Sequence, residues 1–329
     1  MSRIHVLHEN PLWLPPLAVA FNQRGLAWTE WFMDGGIFDL SVAPPEGIFY
    51  NRMSASSHTR DHRYAAELTA GVLAWLAAHG RRVVNGSGAL DLEISKARQY
   101  AALTAQGVAT PRSILVAGRQ KVLDAARLYY ADRSVILKPN RGGKGLGVRL
   151  FHTLEGLTQH VRGDEYEEPV DGLVLLQDYI RAPEPFITRA EFVGGRFLYA
   201  VRVDTSEGFE LCPAEACEIG DLACPVGEAP QGVFQGVARH KFEILPAGIP
   251  TDLRARLERV LADAGVEVAG IEFIADEHGR LFVYDINTNT NYNPEAEERD
   301  NRANTNRSGP GALAAFLGGE LSRLYPVAA

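Results

Sequence analysis

The sequence contains few cysteines, and their number and spacing do not suit a disulfide framework. Its 329 residues include only Cys212, Cys217 and Cys224, and an odd number of thiols cannot all pair within one chain. A zinc site would need a fourth ligand, for which His240 is the nearest candidate, and the paired C-x-x-C spacing does not occur. We therefore expect three reduced thiols in a protein of the cytoplasm.

Basic charge and long apolar runs are also scarce. The formal net charge is −8 at pH 7 and no basic run occurs, which argues against a polynucleotide substrate. The first residues, MSRIHVLHENPLW, lack the apolar segment of a signal peptide, and no stretch reaches the roughly 18 apolar residues that cross a membrane. Hydrophobic residues still make up 46% of the chain, so buried cores can form, and no nucleic-acid or membrane partner is expected.

Short apolar runs alternate with helical patterns in the first 86 residues. Strands are predicted at Arg3–Leu7, Leu26–Met33, Ile48–Tyr50 and Val83–Val84, and helices from Pro15 to Gly25 and over Tyr64–His79. Such alternation is typical of a parallel, open α/β sheet. Residues 1–86 are therefore predicted to form an N-terminal α/β domain.

The rest of the chain is predicted to contain more strands and fewer helices. Residues 87–182 have predicted helices Ser87–Gln106 and Lys121–Tyr130 and strands Ser113–Val116, Val135–Lys138, Val148–Phe151 and Leu173–Ile180. Residues 183–329 have predicted strands Phe186–Val193, Arg196–Val203, Val268–Ala275 and Leu281–Ile286 and helices Leu253–Ala264 and Ala312–Leu324. Gly194 and Gly195 indicate a hairpin, which favours an α+β arrangement with an antiparallel sheet.

A glycine-rich loop lies within VILKPNRGGKGLGV, residues 135–148. After Lys138 come Gly142, Gly143, Gly145 and Gly147, with Lys144 between them. Such a loop lets backbone N–H groups approach phosphate closely, and a valine at Gly143 is expected to resist a positive φ. It is neither a P-loop nor a dinucleotide fingerprint, because no helix follows in the required place. The alternative is a plain glycine hairpin with solvated lysines.

Acidic residues occur within apolar strands in GIEFIADEHGRLFVYDINTN, residues 270–289. Strand alternation places Asp285 and Asn287 on one face and Tyr284 and Ile286 on the other. An antiparallel neighbour can bring Glu272 beside them, and such oxygen ligands suit magnesium bound together with phosphates. The alternative is a polar row on a solvated sheet face.

The segment LVLLQDYI, residues 173–180, is an apolar strand with a polar end. An adenine pocket needs apolar walls and backbone hydrogen bonds at a rigid turn, which Gln177–Ile180 can supply. The alternative is the ordinary end of a buried strand.

In this order the three segments resemble the ATP-grasp superfamily, most closely its RimK-type and glutathione synthetase-like carboxylate–amine ligases. The resemblance extends from about Val83 to Leu317. It implies that Lys96 and Lys138 contact the phosphates or base and that Glu184 contacts the ribose. Further nucleotide contacts are implied for Gly142, Gly143, Lys144, Gly145, Gly147, Gln177, Asp178, Tyr179 and Ile180. The resemblance also implies catalytic roles for Lys138, Arg189 and Arg202, and metal ligation by Glu272, Asp285 and Asn287.

The resemblance also implies the fold and the reaction. The expected fold has the N-terminal α/β domain, a small central lid domain over residues 87–182 and a C-terminal domain over residues 183–329. The expected cofactors are ATP and two Mg²⁺ ions, for which Mn²⁺ can substitute, and the expected product is an amide formed through an acyl phosphate. Two features differ from the family: the metal carboxylates occur as Glu then Asp, and Pro294 comes late after Asn287.

The substrates stay open at this point. The partners are expected to be small-molecule or peptide carboxylates and amines, and a dimer or tetramer is plausible; a phosphotransferase and a non-catalytic nucleotide-binding module are the alternatives. Asn51, Arg52 and His58 follow a strand end, where open sheets place ligands, and can hold a carboxylate. The long segment 205–245 is expected to cover the acceptor site, with Arg239, His240 and Lys241 contacting an anionic acceptor.

Overall fold

The first sheet is parallel, as the sequence predicts. A computed structural model describes residues 2–143, 145–206 and 240–326. The N-terminal elements are β1 Arg3–His8, α1 Pro15–Gln23, β2 Trp28–Phe32, β3 Gly47–Asn51, α2 Ala65–Ala78 and β4 Arg82–Val84, with short 3-10 turns at Pro11–Trp13 and Ser57–Arg60. The strand order is β2-β1-β3-β4 and every pair is parallel, so the carboxyl ends of β1 and β3 meet at one edge.

The predicted helix Ser87–Gln106 is wrong, because the structure has two helices there. These are α3 Ser87–Glu93 and α4 Lys96–Ala105. Ser95 adopts an extended conformation (φ −148°), and its hydroxyl accepts a hydrogen bond from the Arg98 amide. Asn140, from the strand end before the glycine loop, caps the same helix because its Oδ1 accepts from the Ala97 amide at 3.0 Å. The break therefore depends on a contact between distant parts of the chain.

The lid contains an antiparallel sheet with two helices on one face. Its elements are β5 Ser113–Ala117, α5 Arg119–Tyr129, β6 Val135–Pro139, β7 Arg149–Phe151, α6 Leu154–Arg162 and β8 Leu173–Asp178, in the strand order β5-β8-β6-β7. Helix α6 was not predicted from the sequence. Val122, Leu123 and Ala126 of α5 pack on the sheet together with Leu157 and Val161 of α6, so the lid has a core of its own.

The C-terminal sheet is also antiparallel. Its elements are β9 Phe186–Val193, β10 Arg196–Asp204, β11 Phe242–Ile244, α7 Thr251–Asp263, β12 Val268–Ala275, β13 Leu281–Asn287, α8 Pro294–Arg299 and α9 Gly309–Leu324, in the strand order β11-β10-β9-β12-β13. The predicted hairpin around Gly194 and Gly195 is present, and both glycines have positive φ. The α/β fold class with an α+β C-terminal part is thus confirmed.

Helices α3, α4 and α9 pack against elements of other parts of the fold. Leu313 and Leu317 of α9 pack in one core with residues of β1 and α1, so the last helix contacts the N-terminal sheet. Leu92 of α3 and Leu103 of α4 pack with residues of α7, β12 and β13. The predicted lid domain, residues 87–182, includes α3 and α4, whereas Leu92 and Leu103 of these helices pack in the C-terminal core. None of the helices in the described ranges is both long and apolar enough to span a membrane.

Asn85 joins the N-terminal and C-terminal domains. It is fully buried just after β4, in the left-handed conformation (φ 56°) that asparagine tolerates well. Its side-chain amide donates to the carbonyl oxygens of Val268 (2.8 Å) and Thr288 (3.0 Å), and its Oδ1 accepts from the amides of Glu267 (2.9 Å) and Val268 (3.0 Å). One side chain therefore satisfies four backbone groups of the neighbouring domain.

Replacing Asn85 with alanine should destabilise the protein strongly. The change leaves buried backbone groups unsatisfied and places alanine at a positive φ, for a cost of about 3–5 kcal/mol. We expect the thermal midpoint to fall by roughly 10 °C in calorimetry. Asn301→Ala is the matched control, because Asn301 is exposed, has φ 54° and makes no side-chain hydrogen bond within the described residues. Equal losses in the two variants would contradict the domain-joining role.

Candidate active site

Helix α4 covers the free edge of strand β13. Because β13 ends the described sheet, one row of its backbone groups lacks a neighbouring strand. Gln99 Nε2 donates to the Ile286 carbonyl oxygen at 2.8 Å, and Gln99 Oε1 accepts from the Ile286 amide at 3.0 Å. The Tyr100 hydroxyl donates to the carbonyl oxygen of Tyr284 at 3.0 Å. These bonds hold the first turn of α4 against the strand that carries Asp285.

Lys96, in that first turn, forms an ion pair with Asp285. The distance from Lys96 Nζ to Asp285 Oδ1 is 2.6 Å, and both side chains are largely buried. Burial alone would raise the pKa of Asp285, but the charge and hydrogen bond of Lys96, together with the charges of Lys138 and Arg189, outweigh it, and the net shift of that pKa is downward. Asp285 therefore stays ionised, which is the form that ligates a metal ion.

Lys138 lies in β6 of the lid, and 4% of the residue is exposed. Its ammonium group donates to the Tyr100 hydroxyl oxygen at 2.5 Å, and Gln177 Nε2 donates to the same oxygen at 2.6 Å. Among the described residues no carboxylate forms a salt bridge with Lys138. Asp285, a carboxylate of the same site, is paired with Lys96 instead. Burial, followed by the charge of Lys96, lowers the pKa of Lys138 to about 7. An anionic ligand between the lid and the C-terminal sheet would supply the missing counter-charge.

Arg189 is at the centre of a second buried cluster, on strand β9. Its Nε donates to Glu191 Oε1 at 2.7 Å, its Nη1 lies 3.4 Å from Glu272 Oε1, and its Nη2 donates to the Thr290 hydroxyl. That hydroxyl donates in turn to Glu191 Oε2 at 2.8 Å. The cluster lies over Gly270, where an added Cβ would come within 2.7 Å of Arg189 Nε. A side chain at position 270 would therefore displace Arg189 or Thr290 from this packing.

The predicted metal ligands lie close together on β12 and β13. Glu272 pairs with Asp285 and Gly270 pairs with Asn287 across the two strands. A bulge between Glu272 and Phe273 leaves Tyr284 without a paired residue on β12 and breaks the predicted alternation there. Burial, followed by the charge of Glu272, raises the pKa of Tyr284. Burial raises the pKa of Glu272, while Arg189 opposes the rise.

The donor set has the chemistry that magnesium prefers. Within the described ranges no group of three or more His, Cys, Asp or Glu side chains is placed to hold a metal ion. The predicted set has two carboxylates and one amide, all of them hard oxygen ligands. Asn287 Oδ1 already accepts a hydrogen bond from the Asn289 amide at 2.9 Å, which keeps its side chain in a fixed turn.

The glycine loop turns at Gly145 and Gly147. Their φ angles are 75° and 73°. Gly143 does not have a positive φ, so the expectation that a positive φ occurs at Gly143 was wrong. An added Cβ at Gly143 would only touch Ser56, at 3.5 Å. An added Cβ at Gly147 would lie 3.3 Å from Pro139, in addition to its strained φ. An added Cβ at Gly142 would also come within 3.1 Å of Pro139, and Lys144 is outside the described residues.

The predicted adenine-binding segment consists of the last two residues of β8, Gln177 and Asp178, and the two residues that follow, Tyr179 and Ile180. Gln177 is buried and bonded to Tyr100 and Ser113, so its side chain is part of the structure between the lid and α4. No hydrogen bond involves the backbone of Tyr179 or Ile180 within the described part of the chain, and that of Asp178 donates to Arg112. The backbone after β8 is thus available to a ligand.

Arg202 and Glu184 lie apart from the Arg189 cluster. Arg202 pairs with Thr188 across the hairpin, so it leaves the sheet on the face opposite to Arg189. It donates weakly to Glu184 at 3.5 Å and lies over the ring of Phe186. The predicted contacts of both residues with substrate and ribose stay predictions.

The residues at the end of β3 are used mainly within the protein. Asn51 donates to the Asn85 carbonyl oxygen at 2.9 Å. Arg52 donates to Asn289 and Asn291 side chains at 3.1 and 2.7 Å. His58 is half-buried, and burial lowers its pKa. His240 and Lys241 are exposed beside β11, while Arg239 and the three cysteines lie outside the described residues.

Several important residues were not recognised in the sequence. Glu191 lies two positions after Arg189, so the period of a strand already places it on the same face. Gln99 and Tyr100 lie three and four positions after Lys96, on one face of the helix. Glu93, whose carboxylate accepts from the Thr288 and Ala55 amides at 2.7 and 3.1 Å, had no such signal because both partners are distant in the chain.

The unusual pKa of Lys138 can be measured directly. The chain has only five lysines, so ¹³C-lysine labelling gives a simple NMR spectrum, and Lys138→Met assigns the signal. We expect Lys138 to titrate near pH 7, roughly three pH units below the ordinary value for a lysine side chain. Lys96→Met should raise the pKa of Lys138, because it removes the repelling charge. A midpoint for Lys138 close to the ordinary lysine value would show that burial does not govern this site.

Comparison with known proteins finds similarity in structure only. No protein-family model matches the sequence, and no curated protein matches it. A RimK-domain ATP-grasp protein from Sphaerobacter thermophilus aligns over 96% of this chain and 99% of its own, with a TM-score of 0.62 and 17% identity. The D-cycloserine synthetase DcsG aligns over 98% and 99%, with a TM-score of 0.62 and 18% identity.

A third structure, the ATP-grasp ligase PsnB with minimal precursor, Mg and ADP, aligns over 97% of each chain, with a TM-score of 0.59 and 16% identity. Identities this low establish the fold and not the activity. The match extends over nearly the whole chain. The parallel N-terminal sheet and the two antiparallel sheets also agree with the arrangement that the resemblance implied. The chain therefore has the ATP-grasp fold.

Proposed function

We propose that this protein is an ATP- and Mg²⁺-dependent carboxylate–amine ligase that forms an amide or peptide bond through an acyl phosphate. The observation that carries the proposal is the convergence of three cations, Lys96, Lys138 and Arg189, around Glu272 and Asp285. Structures of the same fold support it, since they include a RimK-domain protein and a ligase with Mg and ADP. A RimK-like reaction would attach an amino acid such as glutamate to a small molecule or peptide.

The charges of the cluster suit a bound metal–nucleotide pair. Lys96 and Arg189 neutralise Asp285 and Glu272 in the absence of ligands. Glu272, Asp285 and Asn287 would hold magnesium, and one or two ions suit this set of hard oxygen donors. Lys96 and Arg189 then become available for phosphate, and Lys138 gains a counter-charge. Magnesium supplies the neutralisation of charge on the phosphoryl group.

The protein's task in this reaction is to position groups rather than to form covalent bonds. A substrate carboxylate oxygen attacks the γ-phosphorus, and ADP leaves. The amine nitrogen then attacks the acyl carbon, inorganic phosphate leaves and the amine gives up a proton. Arg189 and Lys138 stabilise charge on the transferred group, and the glycine loop keeps water from the acyl phosphate.

The test is a screen of amino acids and short peptides for ADP release, with mass spectrometry of the products. A new amide together with ADP and phosphate supports the ligase. A phosphorylated product without an amide would support a phosphotransferase instead. Nucleotide binding without any ADP release would favour a non-catalytic module.

Asp285→Asn should lower kcat by a factor of about a hundred or more, because it removes a charged metal ligand while keeping the shape of the side chain. Calorimetry should also show that Mg²⁺ no longer strengthens ADP binding. Asp252→Asn is the control, since Asp252 is 77% exposed in the first turn of α7. An Asp285→Asn variant with normal ADP release would rule out the metal assignment.

Gly147→Ala should raise the KM for ATP and lower kcat several-fold. The left-handed conformation costs a residue with a Cβ about 1–2 kcal/mol, and the new methyl group would press on Pro139. Gly172→Ala is a matched control, because Gly172 has φ 71° in the same lid but an added Cβ there meets nothing within 4 Å. If the two variants have the same steady-state kinetics, the loop does not contact the nucleotide.

A further inference from the structure

One face of the N-terminal sheet leads to the Arg189 cluster. Ile48 and Tyr50 on β3 are fully buried in a core shared with Val268 of the C-terminal sheet. Side chains alternate along a strand, so Arg52, just past the end of β3, continues the same face. Arg52 is 5% exposed, whereas its partner Asn291 is exposed. The end of this face therefore lies just below the surface.

Arg52 is a buried cation whose partners are all neutral. Its guanidinium donates to the carbonyl oxygens of Trp13 (2.9 Å) and Thr290 (3.3 Å) and to the side-chain oxygens of Asn289 and Asn291. Arginine has five N–H donors, so these four bonds leave one unused among the described residues. No carboxylate of the described residues forms a salt bridge with Arg52, although buried charges are usually paired.

Two tyrosine hydroxyls beside Arg52 are buried without a hydrogen-bond partner. These are the hydroxyls of Tyr50 and Tyr292, and neither finds a partner within the described residues. Burial raises the pKa of both hydroxyls, so both stay protonated and able to donate. The ring of Tyr292 is held against Gly309, where an added Cβ would overlap it. Tyr50 lies two positions before Arg52 on the same face of β3, and Tyr292 directly follows Asn291, whose side chain accepts a hydrogen bond from Arg52.

We propose that Arg52, Tyr50 and Tyr292 form a subsite that binds a carboxylate group of the substrate. The proposal deepens the ligase function proposed above and rests on it. A carboxylate would accept hydrogen bonds from the two hydroxyls and from the unused N–H, and would neutralise Arg52. Thr290 links this subsite to the proposed reaction centre, because its carbonyl oxygen accepts from Arg52 and its hydroxyl accepts from Arg189.

The nearby acidic residues do not favour an ammonium ligand. Glu191 is already bonded to Arg189 and Thr290. Glu297 accepts from the Tyr199 hydroxyl at 2.6 Å and from the Gly309 amide at 2.5 Å. Arg52 is thus left as the uncompensated charge next to the two hydroxyls, and it selects an anion.

The experiment uses the double variant Tyr50→Phe with Tyr292→Phe, which removes only the two hydroxyls. Because these hydroxyls lack partners, we expect the thermal midpoint to stay the same or rise. The probe is glutarate, titrated by calorimetry into the full-length protein with Mg²⁺ and ADP. We expect the double variant to bind glutarate about tenfold or more weakly, with unchanged affinity for ADP. Tyr64→Phe is the control, since Tyr64 is 73% exposed.

Pentane-1,5-diamine, a probe of similar length and opposite charge, tests whether the subsite binds a cation instead of an anion. Failure of glutarate to bind the wild type, equal glutarate affinity in the double variant, or hydroxyl-dependent binding of the diamine instead would each overturn the subsite. Hydroxyl-dependent glutarate binding without ADP release for any substrate would leave the subsite standing and overturn the ligase. ADP release with an unchanged KM for the carboxylate substrate in the double variant would support the ligase and overturn the subsite.

Discussion

The backbone of the edge strand β13 needs hydrogen-bond partners, and most of the site's geometry follows from how it finds them. Gln99 bonds both backbone groups of Ile286, and Tyr100 bonds the carbonyl oxygen of Tyr284. A helix held in this way cannot slide along the strand, because a shift of one residue would leave buried polar groups unpaired. Lys96, in the first turn of the same helix, is therefore held at Asp285.

The same helix connects the lid to the C-terminal sheet. The hydroxyl of Tyr100 receives hydrogen bonds from Lys138 and Gln177 of the lid while it donates to β13. Lys138 is thus held near β13, which carries proposed metal ligands, through a neutral group, and it forms no salt bridge with a carboxylate among the described residues. A buried cation without a carboxylate partner favours an anion, so the binding of an anion would be coupled to the stability of this arrangement.

Polar side chains also hold the segment that follows β13, although the sequence suggested ligand contacts for some of them. Asn85, Arg52 and Glu93 bond backbone or side-chain groups between Thr288 and Asn291. Arg52 was expected to hold a carboxylate, and most of its donors instead hold this segment, which leaves a single N–H for a ligand. The N-terminal domain therefore shapes the proposed reaction centre indirectly, through the position of Thr290.

The sequence by itself determined the parallel first sheet, the hairpin, the glycine loop and the pairing of Glu272 with Asp285, because each follows from local periodicity or turn chemistry. Only the tertiary structure decided the helix break at Ser95, the bulge at Tyr284 and the face on which Arg202 lies. These depend on contacts between distant segments, such as Asn140 at the start of α4. Local patterns carry no information about which distant group will satisfy a buried donor or charge. In this protein those non-local pairings position the residues of the candidate active site.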